Sequence, residues 1–229
     1  MARVLIVDNC IEPLVYGPVQ HWGRHLACSP ESVRPPAGGF PKDLRAYTHI
    51  ILSGSEATIL DDSEWILREC DLVAEAARLG IPILASCFAH QLVVRALSGK
   101  QHVRRSPTPE FGWVEVVATP QAAHDPVFGW IRERVHTYSA HFDEVQPLPA
   151  GWVRLAKSGR CGNAVIAWEK GPIWGIQHHP EINPDEGSAL LLALLEKRPE
   201  RRDAMLSGYS ADVRDSGIVG EVVRRFLQT

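Results

Sequence analysis

The chain has 229 residues, 45% of them hydrophobic and 22% charged, a composition typical of a globular protein with one sizeable core. Its 24 Lys and Arg against 27 Asp and Glu give a formal net charge of −3, which provides no broad basic field for nucleic acid or a membrane and favours a small-molecule partner. Five scattered cysteines, without metal-ligand spacing, and the lack of an apolar stretch long enough to span a bilayer predict a cytoplasmic protein with no disulfide framework, zinc site or targeting segment.

The first half of the chain alternates predicted strands with predicted helices. Apolar runs predict three buried strands, at residues 3–7, 48–54 and 81–84. The segment 30–41, rich in Pro and Gly, is predicted to be loop. Residues 61–80 predict a helix capped by Asp or Ser, with Gly80 just past its end. This alternation predicts a mainly parallel sheet, whose ligands bind beyond the carboxyl ends of its strands.

The second half has a different pattern. Partly alternating segments predict short strands that flank or extend the same sheet, at residues 111–118, 152–157, 163–170 and 172–177. A helical pattern over 188–206 is interrupted at Pro199, and residues 217–229 form one amphipathic stripe. We therefore expect a main domain of residues 1–190 and a C-terminal helical extension, 191–229, packed on it. The alternative for the last stripe is an oligomer or partner surface.

Cys87 lies where the third predicted strand ends and a helix begins. The helix is indicated by Leu92, Val93, Ala96 and Leu97, which recur at helical spacing. The first N–H groups of a helix lack partners and its dipole favours negative charge, so a thiolate is stabilised there. This is the geometry of a nucleophile elbow, in which a sharp turn presents the reactive side chain. The alternative is an inert, buried cysteine that acts as a small hydrophobe.

A histidine and a glutamate follow the predicted strand at 174–177. Pro180 bars helix continuation, so His178, His179 and Glu181 are predicted to lie on a strand-end loop. Positions 179 and 181 can then face the same side, with the carboxylate beside the imidazole, while His178 faces the other side as a packed or solvent-facing ring without a catalytic role. A His-X-Glu pair alone is a weak signal, but a cysteine nucleophile needs such an oriented base.

Two sequence motifs surround these residues. The elbow A-S-C-F-A-H-Q, residues 85–91, stands where one family usually has G-x-C-x-G-H-Q, and G-I-Q-H-H-P-E, residues 175–181, stands for that family's G-V-Q-F-H-P-E. Their order and separation also agree. The chain thus resembles the class I, or triad-type, glutamine amidotransferases, and in particular the glutaminase domains of GMP synthases. Further similar segments extend the resemblance over about residues 3–185.

The resemblance implies an α/β fold with a mainly parallel, flavodoxin-like sheet flanked by helices, extra short strands and C-terminal helices. It implies a catalytic triad of Cys87, His179 and Glu181, with no cofactor or metal. Oxyanion donors are implied at the backbone N–H groups of Ser55 and Phe88. Contacts to the substrate glutamine are implied for Gly54, Gln91, His141, Phe142 and Asp143. Gln91 could equally brace its helix, and residues 139–145 could simply be a strand edge.

The chain departs from the family pattern at two places. Ala85 and Ala89 replace the elbow glycines, each adding a methyl group where strand and helix pack closely, and we expect the turn to survive. In the oxyanion loop, residues 53–56, Ser55 and Glu56 replace the usual Gly-Pro. A carboxylate near the substrate entrance could alter substrate choice, and a Ser-Gly-Ser loop is also similar to that of the γ-glutamyl peptide hydrolases.

The resemblance implies a glutaminase subunit that hydrolyses glutamine through a cysteine thioester and supplies ammonia to a separate synthase subunit. The sequence has no phosphate-binding loop of its own, so the acceptor would be activated in another chain. One alternative is a stand-alone hydrolase of γ-glutamyl amides or peptides, and another is a catalytically silent binding or regulatory subunit. Related cysteine hydrolases and chaperones typically have histidine directly after the nucleophile, where this chain has Phe88.

Overall fold

A computed structural model describes residues 2–12 and 16–229. Within those residues ten strands form one sheet. The strands are β1 Val4–Val7, β2 Glu31–Val33, β3 His49–Leu52, β4 Ile83–Ser86, β5 Val103–Ala118, β6 Arg134–Val145, β7 Trp152–Ser158, β8 Val165–Trp168, β9 Ile173–Ile176 and β10 Tyr209–Ser210. The α-helices are α1 Pro18–Gly23, α2 Glu64–Leu79, α3 Phe88–Ser98, α4 Pro184–Lys197, α5 Arg202–Ser207 and α6 Val219–Phe226.

The sheet has a parallel half and an antiparallel half. Strands β2, β1, β3, β4 and β9 are parallel neighbours in that order, and β9 continues through antiparallel β8 and β7 to β5. Strand β5 also pairs with antiparallel β6 and parallel β10. The carboxyl ends of β4 and β9 lie side by side, with Ser86 paired to Ile176. These are the strands that lead to Cys87 and to His179.

Strand alternation divides the core between the two faces of the sheet. On β1, Leu5 and Val7 belong to the cluster that contains Val73 of α2 and Leu92 of α3. The neighbouring Val4 and Ile6 belong to the opposite cluster, together with the buried side chains of α6, which are Val219, Val222, Val223 and Phe226. The stripe over residues 217–229 is therefore packed on the core of this chain. Helix α4 runs through residue 190, so no break in secondary structure marks the boundary expected there.

One prediction about strands is wrong, and another gives a strand that is too short. The segment 30–41, predicted to be loop, contains the edge strand β2, whose side chains are mostly exposed and so carry no apolar alternation. The short strand expected at 111–118 is the second half of β5, which has 16 residues and pairs with the 12-residue β6. Exposed residues and a register shift between Arg105 and Glu110 interrupt the pattern of β5.

The ends of helix α2 agree with the sequence. Ser63 is its N-cap residue, and Gly80 follows its last turn in the left-handed conformation, with φ of 70°. A glycine suits that conformation because a Cβ atom would be strained there. Helices long and apolar enough to cross a membrane are absent from the described residues.

Candidate active site

The turn at Cys87 joins β4 to α3 through a strained backbone. Cys87 has φ of 49° and ψ of −107°. Within residues 2–12 and 16–229 it is the only non-glycine residue with a positive φ. Such a conformation costs about 1–3 kcal/mol and persists only where the surroundings enforce it. The Cys87 N–H donates to the carbonyl of Ile176 on β9 at 2.7 Å, which fixes the turn to the neighbouring strand. The thiol therefore sits at the first turn of α3, beside unpaired helix N–H groups.

The two alanines that replace the family's elbow glycines are accommodated. Ala85 and Ala89 are both fully buried and belong to the core cluster between the sheet, α2 and α3. The turn and helix α3 form with these methyl groups in place. The expectation that the turn survives is therefore met.

A histidine–carboxylate pair lies beside the elbow. His179 follows β9, and its N–H donates to the carbonyl of Tyr138 on β6 at 2.8 Å. Its ring Nδ1 lies 2.8 Å from Glu181 Oε1, and the Tyr16 hydroxyl donates to the same oxygen at 2.7 Å. Glu181 is almost fully buried. Two donors converge on one carboxylate oxygen, so the imidazole orientation is fixed from behind.

The electrostatics of this pair favour a charged imidazole. Burial acts to lower the pKa of His179, but the Glu181 carboxylate and the Cys87 thiolate outweigh it and raise that pKa to about 10. An imidazolium beside a thiolate is the activated state of a cysteine nucleophile. Cys87, His179 and Glu181 are thus brought together as a set that can perform nucleophilic and acid–base chemistry.

The neighbouring histidine is turned away from Cys87. The His178 side chain is fully buried, its Nε2 lies 3.8 Å from Glu110 Oε2 on β5, and the residue lies beside Val165 and Ile176 in a small apolar cavity separate from the one that contains Cys87. Burial lowers the pKa of His178. Of the two positions expected from strand alternation, a packed ring and a solvent-facing ring, the structure has the packed one.

The loop over residues 53–56 lies against both reactive side chains. A Cβ atom built on Gly54 would lie 2.5 Å from His179 Cε1, 3.3 Å from His179 Nε2 and 3.4 Å from Cys87 Cβ. Glycine is therefore required for the loop to approach the nucleophile and base this closely. Glu56, expected near the substrate entrance, lines the cavity in front of Cys87, and its carboxylate accepts bonds from the Ile11 N–H at 2.9 Å and the Cys10 thiol at 3.2 Å.

Four of the five predicted substrate contacts line one cavity: Gln91, His141, Phe142 and Asp143. The Gln91 side chain is buried and donates to the carbonyl of Asp143 at 2.6 Å and to the Gln177 side chain at 3.1 Å. The His141 ring is also buried, with Nδ1 3.0 Å from the Asp143 carbonyl and Nε2 3.3 Å from Glu110 Oε2. Both side chains are therefore engaged in supporting the strand that lines the cavity. A ligand would be bound by the backbone of that strand.

The cavity in front of Cys87 has a volume of about 490 Å³. Its lining includes Cys87, His179 and Ser55, and also Phe142 and Arg201. The Arg201 guanidinium carbon lies 4.8 Å from the centre of the Phe142 ring. A cavity of this volume that combines reactive, polar, aromatic and cationic side chains fits a small polar substrate and leaves further room. No group of three or more metal-ligating side chains occurs in the part of the chain that the structure describes.

A buried carboxyl supports the loop over residues 53–56 from behind. Glu69 on α2 is fully enclosed, and its Oε1 accepts a bond from Asn9 Nδ2 at 2.9 Å. The Asn9 N–H donates to Ser53 Oγ at 2.9 Å, and Asn9 Nδ2 also lies 3.2 Å from the Ser53 carbonyl. Burial raises the pKa of Glu69 to about 8, against the opposing effect of the Asn9 bond. The side chain is therefore a neutral acid at pH 7.

This carboxyl predicts a pH dependence of stability. The folded protein keeps the Glu69 proton up to about pH 8, whereas the unfolded chain releases it near the ordinary pKa of 4.5. Its stabilising contribution is therefore complete below pH 4.5 and is lost as pH rises toward 8. Relative to Glu69→Gln, the free energy of unfolding of the wild type should fall across that window, as measured by urea titration at a series of pH values. Parallel curves for the two proteins would contradict this prediction.

The sequence matches the family model described as glutamine amidotransferase class-I over residues 19–195.

The chain belongs to this family.

Relatives of this class I glutamine amidotransferase include two kinds of protein. It is 34% identical over 133 residues to one subunit of the glutamine-hydrolyzing GMP synthase of Methanospirillum hungatei, covering 58% of this chain and 68% of that one. It is 32% identical over 146 residues to a probable GMP synthase of Leptospira interrogans, covering 64% of this chain and only 23% of that protein. It is also 31% identical over 158 residues to gamma-glutamyl peptidase 4 of Arabidopsis thaliana, covering 68% and 62%.

Solved structures show the same fold. A glutamine amido transferase from Methylobacillus flagellatus superposes with a TM-score of 0.80 at 22% identity, covering 100% of this chain and 95% of that one. A glutamine amidotransferase from Thermotoga maritima superposes with a TM-score of 0.76 at 18% identity, covering 99% and 96%. The α/β fold expected from the family resemblance, with a large, mainly parallel sheet flanked by helices, is confirmed.

Several residues of this class I amidotransferase site were not predicted from the sequence. Tyr16 is 165 positions from its partner Glu181, and Asn9 is 60 positions from Glu69. Glu110, which accepts a bond from the Ser158 hydroxyl at 2.6 Å beside His141, precedes the F-G-W-V-E-V run of β5. A polar residue within a buried strand pattern is the one signal that could have singled out Glu110.

Proposed function

We propose that the protein hydrolyses the side-chain amide of glutamine to glutamate and ammonia. The observation that carries this proposal is the convergence of Cys87, His179 and the Gly54 backbone at the carboxyl ends of β4 and β9, with Glu181 behind the imidazole. Membership of the class I glutamine amidotransferase family supports the choice of substrate. A catalytically silent protein would have no need to keep a strained cysteine beside an oriented histidine.

The proposed reaction has two halves. The Cys87 thiolate attacks the amide carbon of glutamine, forming a C–S bond and a tetrahedral oxyanion, and His179 gives its proton to the leaving nitrogen as the C–N bond breaks. Ammonia leaves, and a γ-glutamyl thioester remains on Cys87. His179 then takes a proton from water, which attacks the thioester carbon and releases glutamate and the thiolate. Glu181 orients the imidazole and stabilises the imidazolium.

The oxyanion donors in this proposal are backbone N–H groups. Phe88 is the first residue of α3, so its N–H is one of the groups that lack a partner within the helix. Ser55 follows Gly54 in the loop that lies against Cys87 and His179, and its own hydroxyl accepts a bond from the Ala57 N–H at 3.1 Å. Each such donor is worth about 3 kcal/mol of transition-state stabilisation in acyl-transfer enzymes.

The amino-acid end of glutamine is proposed to bind along the wall that Gln91 braces. His141 and Phe142 offer backbone groups there, while Gly54 lies against His179 and Cys87. The Asp143 carboxylate accepts a bond from the Thr58 hydroxyl at 2.6 Å and lies 2.9 Å from the Arg105 guanidinium. These two charged groups suit an ammonium and a carboxylate of a zwitterionic substrate.

A replacement of Gly54 tests the contact between this loop and the triad. The Gly54→Ala methyl group would overlap the His179 ring, so the ring must move, and misplacement of a catalytic group by about 1 Å costs about 100-fold in rate. We expect kcat for glutamine hydrolysis to fall by about that factor while the melting temperature changes little. Gly220→Ala is the control, because its methyl group meets nothing within 4 Å. Equal activity of the two variants would contradict the prediction.

The acceptor of the ammonia is proposed to be bound by a separate synthase subunit. The relatives named as individual subunits of GMP synthase support this, and this chain covers 68% of the one from Methanospirillum hungatei. We also propose a reducing, cytosolic setting, since Cys87 must be a free thiol and the four other cysteines are free as well.

A glutaminase assay tests the proposed function. Purified protein is given glutamine and a panel of γ-glutamyl amides and peptides, and glutamate and ammonia are measured with and without the candidate synthase subunit. We expect glutamate and ammonia in equal amounts from glutamine, and faster release when the synthase is present. Absence of glutamate under both conditions would overturn the proposal.

A second candidate function is the stand-alone hydrolysis of γ-glutamyl peptides. The cavity of about 490 Å³ extends past the triad to Phe142 and Arg201, which leaves room for a leaving group larger than ammonia. The similarity to gamma-glutamyl peptidase 4 agrees with this function. Faster release of glutamate from γ-glutamyl peptides than from glutamine in the same assay would favour the second function.

A further inference from the structure

Glu69 is a buried carboxyl that the proposed chemistry does not use. Its side chain on α2 is fully enclosed, and no ion pair to it occurs within residues 2–12 and 16–229. Its hydrogen-bond partner is the Asn9 amide, and its second oxygen has no partner among the residues that the structure describes. A buried carboxyl in such surroundings destabilises the fold relative to an apolar side chain of the same volume. Its presence is accounted for if the bond to Asn9 serves the site.

Asn9 connects this carboxyl to the oxyanion loop, defined as residues 53–56. The Asn9 N–H donates to Ser53 Oγ at 2.9 Å, and its side-chain amide lies 3.2 Å from the Ser53 carbonyl oxygen. Ser53 Oγ in turn donates to the carbonyl of Gly54 at 3.0 Å. The three residues that make these hydrogen bonds are fully buried: Asn9, Ser53 and Glu69. The bonds are therefore shielded from competition with water.

These bonds fix the directions of the loop's N–H groups. In a planar trans peptide the carbonyl of one residue and the N–H of the next point in opposite directions. Holding the carbonyl of Ser53 fixes the N–H of Gly54, and holding the carbonyl of Gly54 fixes the N–H of Ser55. Gly54 lies against His179 and Cys87, so a rotation of either peptide plane would move donors at the reacting atoms.

We propose that Glu69 is a positioning residue for the oxyanion loop, acting through Asn9 and Ser53, a role that rests on the proposed amide hydrolysis at Cys87. Glu69 holds the Asn9 amide in the rotamer that reaches the Ser53 carbonyl. Asn9 then keeps the peptide planes at Ser53 and Gly54 in the orientation that serves the tetrahedral intermediate. Glu69 itself touches no substrate.

Positioning of an oxyanion donor has a signature that general loosening lacks. The donor acts on the tetrahedral intermediate more than on bound substrate, so its misplacement lowers kcat and leaves KM little changed. Alkylation of Cys87 by iodoacetamide forms a C–S bond and expels iodide without an oxyanion. That reaction reports the Cys87–His179 pair and is independent of the oxyanion loop.

The experiment compares Glu69→Leu with Glu69→Gln. Single-turnover acylation by glutamine, steady-state KM and iodoacetamide alkylation of Cys87 are measured for each, with folding checked by thermal melting. Glu69→Leu removes the acceptor for Asn9, and we expect acylation to slow by about tenfold, less than the loss of a whole donor, with KM and alkylation within about twofold. Glu69→Gln keeps an acceptor oxygen and should restore acylation. Glu75→Leu, exposed on the same helix, is the matched control.

Ser53→Ala provides a second variant that alters no buried carboxyl. It removes the hydroxyl that joins Asn9 to the Gly54 carbonyl, so it should slow acylation to a similar degree. Residues that act through one chain of contacts give non-additive effects. Acylation of the double variant, Ser53→Ala with Glu69→Leu, should therefore be about as fast as acylation of the slower single variant.

The outcomes separate this inference from the proposed function. If the wild type hydrolyses glutamine and folded Glu69→Leu is acylated at the same rate, this inference is overturned and the proposed function is not. Three other results would also overturn it. Glu69→Leu could slow acylation and alkylation equally, or Glu69→Gln could fail to restore the acylation rate. The effects of Glu69→Leu and Ser53→Ala on the acylation rate could also add in the double variant. A wild-type protein that hydrolyses no glutamine or other γ-glutamyl amide would overturn the proposed function and this inference together.

Discussion

Glutamine hydrolysis should fall by about 10⁴-fold or more when Cys87 is replaced by alanine, because the change deletes the nucleophile and no other group in the site can form the thioester. The fold should persist, since alanine leaves a small apolar side chain in a buried turn. The measurement is glutamate release, with thermal melting to confirm folding. An electrophilic glutamine analogue should add once to the wild type, at Cys87, as located by peptide mass mapping.

The remaining cysteines provide the controls for this prediction. They are Cys10, Cys28, Cys70 and Cys161. Burial raises the pKa of Cys70 to about 11 and also raises the pKa values of Cys10 and Cys161, so these three are protonated thiols at neutral pH. Alanine at any one of the four should leave glutamate release within about threefold of wild type, as for a substitution outside the site. Labelling of a cysteine other than Cys87 would refute the nucleophile assignment.

The second large effect is expected at the base. His179→Ala should slow single-turnover acylation by about 10⁶-fold, and Glu181→Gln by about 10⁴-fold, on the scale of other hydrolytic triads. Glutamine at position 181 keeps the shape of the side chain but loses the charge that raises the pKa of His179. A smaller loss for Glu181→Gln than for His179→Ala is therefore required by the geometry, in which the carboxylate contacts the ring and not the thiol.

His178→Ala is the matched control for His179→Ala. Its ring is fully buried beside Glu110, so the variant should lower the free energy of unfolding by about 1–3 kcal/mol. Acylation should nevertheless stay within an order of magnitude of wild type at a temperature where the variant is folded. If His178→Ala lost more acylation than His179→Ala, the wrong ring would have been assigned as the base.

The arrangement of Cys87, His179 and Glu181 could be predicted because each part depends on local geometry. A strand–helix junction predicts an exposed first turn, and a spacing of two residues after a strand predicts one shared face for His179 and Glu181. The same alternation turns His178 to the opposite side. In the structure β4 and β9 are parallel neighbours, which brings their carboxyl ends together, and this pairing was not predicted from the sequence.

The parts that could not be predicted depend on contacts between distant segments. Strand β2 has mostly exposed side chains, so only its pairing with β1 defines it. Strand β6 carries buried polar residues such as Thr137 and Ser139, which break the apolar alternation of a strand. Tyr16 and Glu69 acquire their roles from partners more than 50 positions away along the chain, and no local pattern encodes such a pairing.

The strained backbone of Cys87 lowers the stability of the fold, while its thiol is needed for activity. With φ of 49° and ψ of −107°, the residue adopts a conformation that glycine would occupy without a steric cost. Selection for stability alone would therefore favour glycine at position 87, and selection for the thiol opposes it. A lineage that kept this fold but no longer needed the reaction would be released from that constraint. In such a descendant the nucleophile should be among the first residues to change, while the histidine and glutamate, in relaxed backbone conformations, would persist longer as a record of the lost chemistry.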